Sequence, residues 1–369
     1  MFKKHSFQWF IFLSSLAKGL LGVFNAIYLY KIGFSVQDVM FWYFLLYLGH
    51  VIFMPISFHV GTKLGFKKIV PFSALFFFIS YFYLACFVKD MTGLIIYSIL
   101  FSLYSSCYWM PRHQFEFQDF TDTKVGSKVG ILLIVTQLAS LFSGLVSAFF
   151  LDYFPFIVLV IVSTVIFVTS LIPLFFIKEN DSREKGSVIE YLKMVPKTTL
   201  FHIFLKEGKT PLDELFALYM FIYVSSSYGF VGVVNFLLGI ASIIFTYFIS
   251  RKLDKKRERY LLSSIVLLCL VYILKINITS SLIFAVILGE GLIKQFYSSV
   301  SNSNYYYLGK KLKTSSYIVG NEVFINIARC VIFFVGFFLL KTLPKFIYFC
   351  IGLMILSGFV PFTKEECIE

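Results

Sequence analysis

Twelve charged side chains of this sequence fall inside runs that are otherwise apolar. The cations are Lys18, Arg112, Lys206, Lys209, Lys294 and Arg329; the anions are Glu116, Glu207, Asp213, Glu214, Glu290 and Glu322. An ionised side chain at mid-bilayer costs at least ~2.5–3.5 kcal/mol on insertion scales. Each of these residues is therefore expected to have a partner or a task. Six against six predicts mutual pairing, not a field of one sign. Arg112, Glu116 and Glu322 lie near predicted span ends, where cytoplasmic water is an alternative partner. A buried lysine or arginine attracts an anionic group. A carboxylate in a partly dry cavity attracts a cation or exchanges a proton near neutral pH.

Spacing narrows the chemistry. Lys206, Glu207, Lys209, Asp213 and Glu214 project within an arc of about 160° when wound at ~100° per residue, which is one helix face. Lys209 and Asp213 are four apart and can pair along the helix. Glu207 and Glu214 share a ridge with no cation four residues away. Gly208 and Pro211 weaken the helix at the same place. The alternative is that residues 198–211 lie on the surface and the helix begins at Asp213. Glu290 and Lys294 are also four apart, as a self-neutralising structural pair or as ligand groups. Arg329 shares a face with Asn326 and Glu322, either as a helix–helix anchor or as a site residue. Tyr104, Tyr108 and Trp109 lie with Arg112, as packing or as a cavity wall. His50 and His113 read as packed or interfacial residues, with a proton relay as the alternative.

The elements that position these groups follow from composition. Of 369 residues 59% are apolar and 14% charged, against about 45–50% and about 25% in soluble domains. This excludes a soluble globular enzyme, a disordered chain and a disulfide-stapled domain. Phe 48 and Tyr 23 are high counts, suited to lipid-facing helices and half-polar interfaces. The six cysteines are scattered without metal spacing. No cofactor, no metal and no nucleic-acid partner is expected, although the net charge is +13.

Apolar length predicts twelve spans: 7–30, 38–60, 69–88, 92–114, 127–151, 154–177, 198–223, 228–250, 260–276, 280–304, 316–340 and 343–362. The first run is longer than a signal-peptide core and reads as a retained span. The long polar segment 178–197 divides the chain into a six-helix half over 1–177 and another over 198–369. With the N-terminus inside, 22 of the 33 Lys and Arg residues fall in cytoplasmic segments and 5 in outer ones. The positive-inside rule then puts both termini in the cytoplasm, and the basic charge faces anionic lipid.

The halves resemble each other at a shift of roughly 189–192 residues, the length of a six-span parallel repeat. Gly19 meets Gly208, Asn25 meets Glu214, and Leu29-Tyr30 meets Leu218-Tyr219. Gln137 meets Arg329. Short basic loops follow spans two and eight. Gly33-Phe34-Ser35 after span one, and the loop from Gly61 to Lys68, resemble the major facilitator superfamily of secondary transporters. Lys63, Gly65, Lys67 and Lys68 match its signature loop. Thr62 stands where the family has Asp, and Phe58 where it has the first Gly. In the second half Asp254 and Lys255 are kept, with Arg257 at a Gly position. The resemblance implies an all-α integral membrane protein of twelve helices in two pseudo-symmetric halves. It implies that the loop residues Lys63, Gly65, Lys67, Lys68, Asp254 and Lys255 latch the halves, and that spans one, four, seven and ten line a central cavity.

Polarity follows that same every-third-span pattern. Lys18 and Asn25 lie on span one, Tyr108 and Arg112 on span four, Glu207, Lys209, Asp213 and Glu214 on span seven, and Glu290 and Lys294 on span ten. Arg329 on span eleven completes the candidate substrate and coupling set. The expectation is a secondary transporter in the plasma membrane, moving a zwitterionic, sugar-like or amphipathic small solute. Glu207 or Glu214 carries the coupling proton, and lipids surround the protein. A membrane enzyme would need a catalytic set, and Arg112-His113-Glu116 is the best trio available. A lipid flippase with an aromatic-rich cavity is the other alternative.

Overall fold

The computed structural model describes residues 5–119, 125–177, 197–277, 282–311 and 316–360. Helix is the only regular structure among them, with no strand. The helices are α1 (Ser6–Gly22), α2 (Asn25–Lys31), α3 (Val36–Leu64), α4 (Val70–Cys86), α5 (Met91–Asp119), α6 (Val125–Tyr153) and α7 (Phe156–Leu174). They continue as α8 (Lys197–Lys206), α9 (Lys209–Glu214), α10 (Phe216–Tyr223), α11 (Tyr228–Asn277), α12 (Ile283–Lys311), α13 (Ser316–Val335) and α14 (Leu343–Ser357). Among the described residues nine helical segments are long and apolar enough to cross a membrane. Leu262–Asn277 and Leu343–Ser357 are shorter apolar helices.

The remaining expected span, 198–223, is not one rod. It is the three short helices α8, α9 and α10, interrupted at Glu207-Gly208 and at Leu215. Gly208 lowers helix stability, and Pro211 removes a backbone donor at the start of α9. The basic loop expected after span eight is instead helical, because α11 runs on through residues 250–260. That stretch is rich in Lys and Arg and has no Gly or Pro, so helix is its intrinsic preference. The side chains of Asp254 and Lys255 lie outside the described residues, as does the 178–197 linker apart from Lys197.

The chain forms two compact units, each drawing segments from both halves of the sequence. The first contains α1, α2, α6, α7, α10, α11 and most of α12. Its most extensive contact joins α6 to α11. Gly144 and Gly232 make that approach possible: a Cβ on Gly232 would sit 2.9 Å from the Gly144 carbonyl oxygen and from Ala148 Cβ. Backbone cannot yield as a flexible side-chain tip does. Gly232→Leu is therefore expected to cost about 1–3 kcal/mol by overpacking, read as a lower denaturation midpoint in mixed micelles. Ser147 donates to the Leu20 carbonyl (2.6 Å) and ties α6 to α1.

The second unit contains α3, α4, α5, α8, most of α9, α13 and α14. Ser35 and Asp38 begin α3 with a reciprocal capping box, which satisfies two otherwise orphan amides. Trp42 and Tyr97 stack at the centre of an aromatic core completed by Tyr81 and Phe101. Tyr43 and Tyr47 on α3 stack on Phe333 of α13. α8 packs against α13 and α14, so residues 198–206 are part of the packed unit and do not lie apart from it.

Candidate functional site

The second unit gathers most of the buried charge. On α13, Glu322, Asn326 and Arg329 recur at helical spacing and face one way. Arg329 donates from Nε to Glu207 Oε2 (2.6 Å). The same oxygen accepts from the Thr210 hydroxyl (2.7 Å). Glu207 occupies the interruption between α8 and α9, where the turn at Gly208 lets its side chain reach α13. A Cβ on Gly208 would meet the Cys350 carbonyl oxygen at 2.7 Å, so this turn is pressed onto α14. The Arg329 guanidinium lies 5.3 Å from the Tyr47 ring centroid. Its side chain keeps 27% of its surface accessible against 9% for Glu207. Arg329 is therefore the partner a solute could reach.

One turn away, Asn326 donates to the Glu322 carbonyl (2.7 Å) and to Met54 Sδ (3.4 Å). His50 Nδ1 lies 3.3 Å from Asn326 Oδ1. On α5, Arg112 donates to Glu116 (2.8 Å) and to the Tyr108 hydroxyl (3.2 Å), with its guanidinium 4.7 Å from the Trp109 ring centroid. His113 stands 3.4 Å from Glu116 and 3.7 Å from Glu322 on α13. Lys206 is buried on α8, within electrostatic reach of Glu207 and Glu322. Lys209 and Asp213 pair at 2.7 Å along α9. Arg112 with Glu116, Lys209 with Asp213 and Arg329 with Glu207 are tolerated away from water because each pair is hydrogen-bonded.

The second unit thus brings together Tyr108, Arg112, Glu207, Lys209, Asp213 and Arg329. The others belong to the first unit. Lys18 is half-buried on α1 and Asn25 is buried at the start of α2. Glu214 ends α9. Glu290 on α12 pairs with Lys275 at the end of α11, and both are almost wholly buried. Lys294 is half-buried one turn after Glu290.

The loop after α3 is a tight reversal. Gly65 has φ +94°, a conformation that favours glycine, and Phe66–Lys68 form a short 3-10 turn. Lys63 and Lys68 are exposed and Lys67 is half-buried.

The sequence left Tyr47 and Lys275 aside, took His50 as packed or interfacial, and placed Asn326 only as a neighbour of Arg329. Tyr43, Tyr47, His50, Met54 and Ser57 form a stripe at helical spacing on span two, and that stripe was the available signal. Among the described residues no group of His, Cys, Asp and Glu could hold a metal ion.

No curated protein matches by sequence. A solved structure, that of the human organic anion transporter MFSD10 (TETRAN), is similar over 96% of this chain and 97% of that one. The TM-score is 0.66 at 13% identity. A family profile described as Major Facilitator Superfamily matches residues 9–332. The long apolar helices, the shared fold and this match identify the chain as an integral membrane protein and a member of the major facilitator superfamily of transporters.

Proposed function

We propose that this chain is a secondary active transporter that moves a small solute across the plasma membrane by alternating access, coupled to protons. The Arg329–Glu207 pair carries the proposal. It joins α13 to the interrupted segment 198–223, and broken helices are where transporters of this kind bind solutes and coupling ions. In the closed arrangement Glu207 accepts from Arg329 and Thr210. When the pair opens, the carboxylate takes one proton and the guanidinium is free to hold an acceptor group of the solute. When the pair re-forms on the other side, the proton is released. Glu214 is the second carboxylate proposed for this task.

Lys18, Asn25, Tyr108, Arg112, Lys209, Asp213, Glu290 and Lys294 are proposed to line or shape the solute path. The loop residues Lys63, Gly65, Lys67 and Lys68, with Asp254 and Lys255, are proposed to latch the cytoplasmic side. Two six-helix halves, 1–177 and 198–369, are proposed to rock about the site. The interruption of both span one, at Val23-Phe24, and span seven supports that repeat. The 22-to-5 distribution of Lys and Arg supports cytoplasmic termini. Exposed apolar residues on α4 and α7, such as Phe72, Leu75, Val165 and Ile172, suit contact with lipid.

The test starts from a thermal-shift screen of sugars, amino acids, nucleosides, drugs and lipids at two pH values, because a ligand of the native state raises the melting point. A hit is then followed in proteoliposomes. An inward-acid gradient is expected to drive its accumulation. Glu207→Gln should keep counterflow exchange and lose gradient-driven accumulation by at least about tenfold, the loss expected on removing a coupling group. Accumulation indifferent to the gradient and to Glu→Gln at both 207 and 214 sinks the proposal. Stabilisation by lipids alone replaces it with a flippase.

A further inference from the structure

His50 is buried, and its hydrogen bonding fixes its tautomer. Both amide hydrogens of Asn326 are spoken for, one by the Glu322 carbonyl and one by the Met54 thioether. Flipping that amide would turn its oxygen toward two groups that only accept. Asn326 Oδ1 must therefore face His50 Nδ1, 3.3 Å away. A carbonyl oxygen cannot donate, so Nδ1 carries the hydrogen. In the neutral ring Nε2 then presents a bare lone pair. That atom is buried and has no hydrogen-bond partner among the described residues. Buried polar atoms are nearly always paired, and each exception calls for an explanation.

The surroundings indicate what the missing donor is. The Tyr47 ring stands edge-on to His50 at 5.6 Å, and Arg329 covers the same ring. A cationic donor beside that guanidinium meets like-charge repulsion. A hydroxyl or an amide N–H does not. His50 and Tyr47 are buried in this arrangement; the opening of the Arg329–Glu207 pair proposed above brings Nε2, the Tyr47 ring and the guanidinium within reach of the solute as one acceptor, one aromatic face and one cation.

We propose that His50 Nε2 accepts a hydrogen bond from a neutral donor on the transported solute, which is therefore a hydroxylated or amide-bearing molecule. This rests on reading the chain as a solute transporter. It narrows the substrate class to compounds that lose affinity when that O–H or N–H is methylated.

Two measurements test it, and neither uses a gradient, so a failure of proton coupling leaves them intact. The first is the nitrogen-15 spectrum of histidine-labelled protein in detergent. The resonances lost in His50→Asn should show a neutral ring with the proton on Nδ1 and none on Nε2. A proton on Nε2 overturns the assignment. The second is equilibrium binding of D-glucose, myo-inositol, uridine and nicotinamide, each against its O- or N-methylated analogue. At least one parent compound should bind and shift the Nε2 resonance. His50→Asn keeps an amide donor near the Nδ1 position and removes the acceptor. It should weaken that compound about tenfold and leave the methylated analogue unchanged. His50→Gln places an acceptor near the Nε2 position and should come within about threefold of the parent protein. Equal losses in both variants for both compounds mean a packing role and overturn the proposal. So does a panel in which no compound is sensitive to methylation.

Discussion

Arg329→Met is expected to lower folding stability by about 3 kcal/mol, and Glu207→Gln by about 1 kcal/mol. The asymmetry follows from burial. Removing Arg329 leaves a carboxylate with 9% of its surface accessible. Deleting one partner of a buried pair costs about 3–5 kcal/mol, because the remaining charge is neither hydrated nor compensated. Lys206, buried beside Glu207, leaves a second positive charge nearby and holds the loss to the low end of that range. Removing the charge of Glu207 leaves a guanidinium that is 27% accessible and lies over the Tyr47 ring. The glutamine oxygen can still accept from Arg329 Nε. The loss is then that of a charge-assisted bond replaced by a neutral one. Denaturation of both variants in mixed micelles measures the order. A larger loss for Glu207→Gln would show that Arg329 depends on the pair more than Glu207 does, against this account. Gradient-driven accumulation should fail in both variants, but for separable reasons. Arg329→Met loses solute affinity, and Glu207→Gln loses only coupling.

Much of the fold was legible because a bilayer leaves few solutions. A backbone without water must satisfy its own hydrogen bonds, so long apolar runs become helices. The expected spans over 38–60, 92–114 and 127–151 correspond to segments that run Val36–Leu64, Met91–Asp119 and Ser127–Tyr153. Their ends were less legible, because α3 and α5 continue helically well into polar sequence. Segment 198–223 was read as one helix weakened at Gly208 and Pro211, and the interruption at Glu207-Gly208 lies where those residues put it. The second interruption, at Leu215, has no turn residue to announce it. The helical backbone between the two apolar parts of α11 was missed for the opposite reason. A basic stretch was taken as a loop although its residues favour helix.

The site was legible in part. Residue type and spacing gave the Lys209–Asp213 pair, since four-residue spacing on one helix is local information. Arg329 with Glu207 is a pairing 122 residues apart, and no spacing rule reaches that far. Arg112 with Glu116 was within reach of the same spacing, but both lie near a span end, where water was an equally open partner. His50 was read as a packed or interfacial residue. Its role emerges only from the way Asn326 spends both of its amide hydrogens, which is a property of three dimensions.

Lys275→Met is expected to be among the most damaging single substitutions in the chain, and Lys275→Met combined with Glu290→Met is expected to be close to harmless for folding. Both side chains are almost completely enclosed. The lysine ammonium also lies over the Phe216 and Tyr272 rings. Losing the lysine alone leaves Glu290 charged and dry, at a cost of about 3–5 kcal/mol. Replacing both by flexible apolar side chains of similar length removes the desolvation penalty together with the attraction. Such replacements are often neutral or stabilising by about 1–4 kcal/mol, and methionine adapts to irregular gaps beside aromatic rings. The comparison needs only expression level and a denaturation midpoint for the parent, the two single variants and the double variant. Transport by the double variant then separates the two readings of Glu290. Retained coupled uptake makes Lys275–Glu290 a structural pair that holds the end of α11 to α12. A folded double variant that binds solute but no longer translocates it makes the pair part of the cycle. A double variant as unstable as either single one would show that neither charge is costly where it lies, and that the enclosure of the pair has been overestimated.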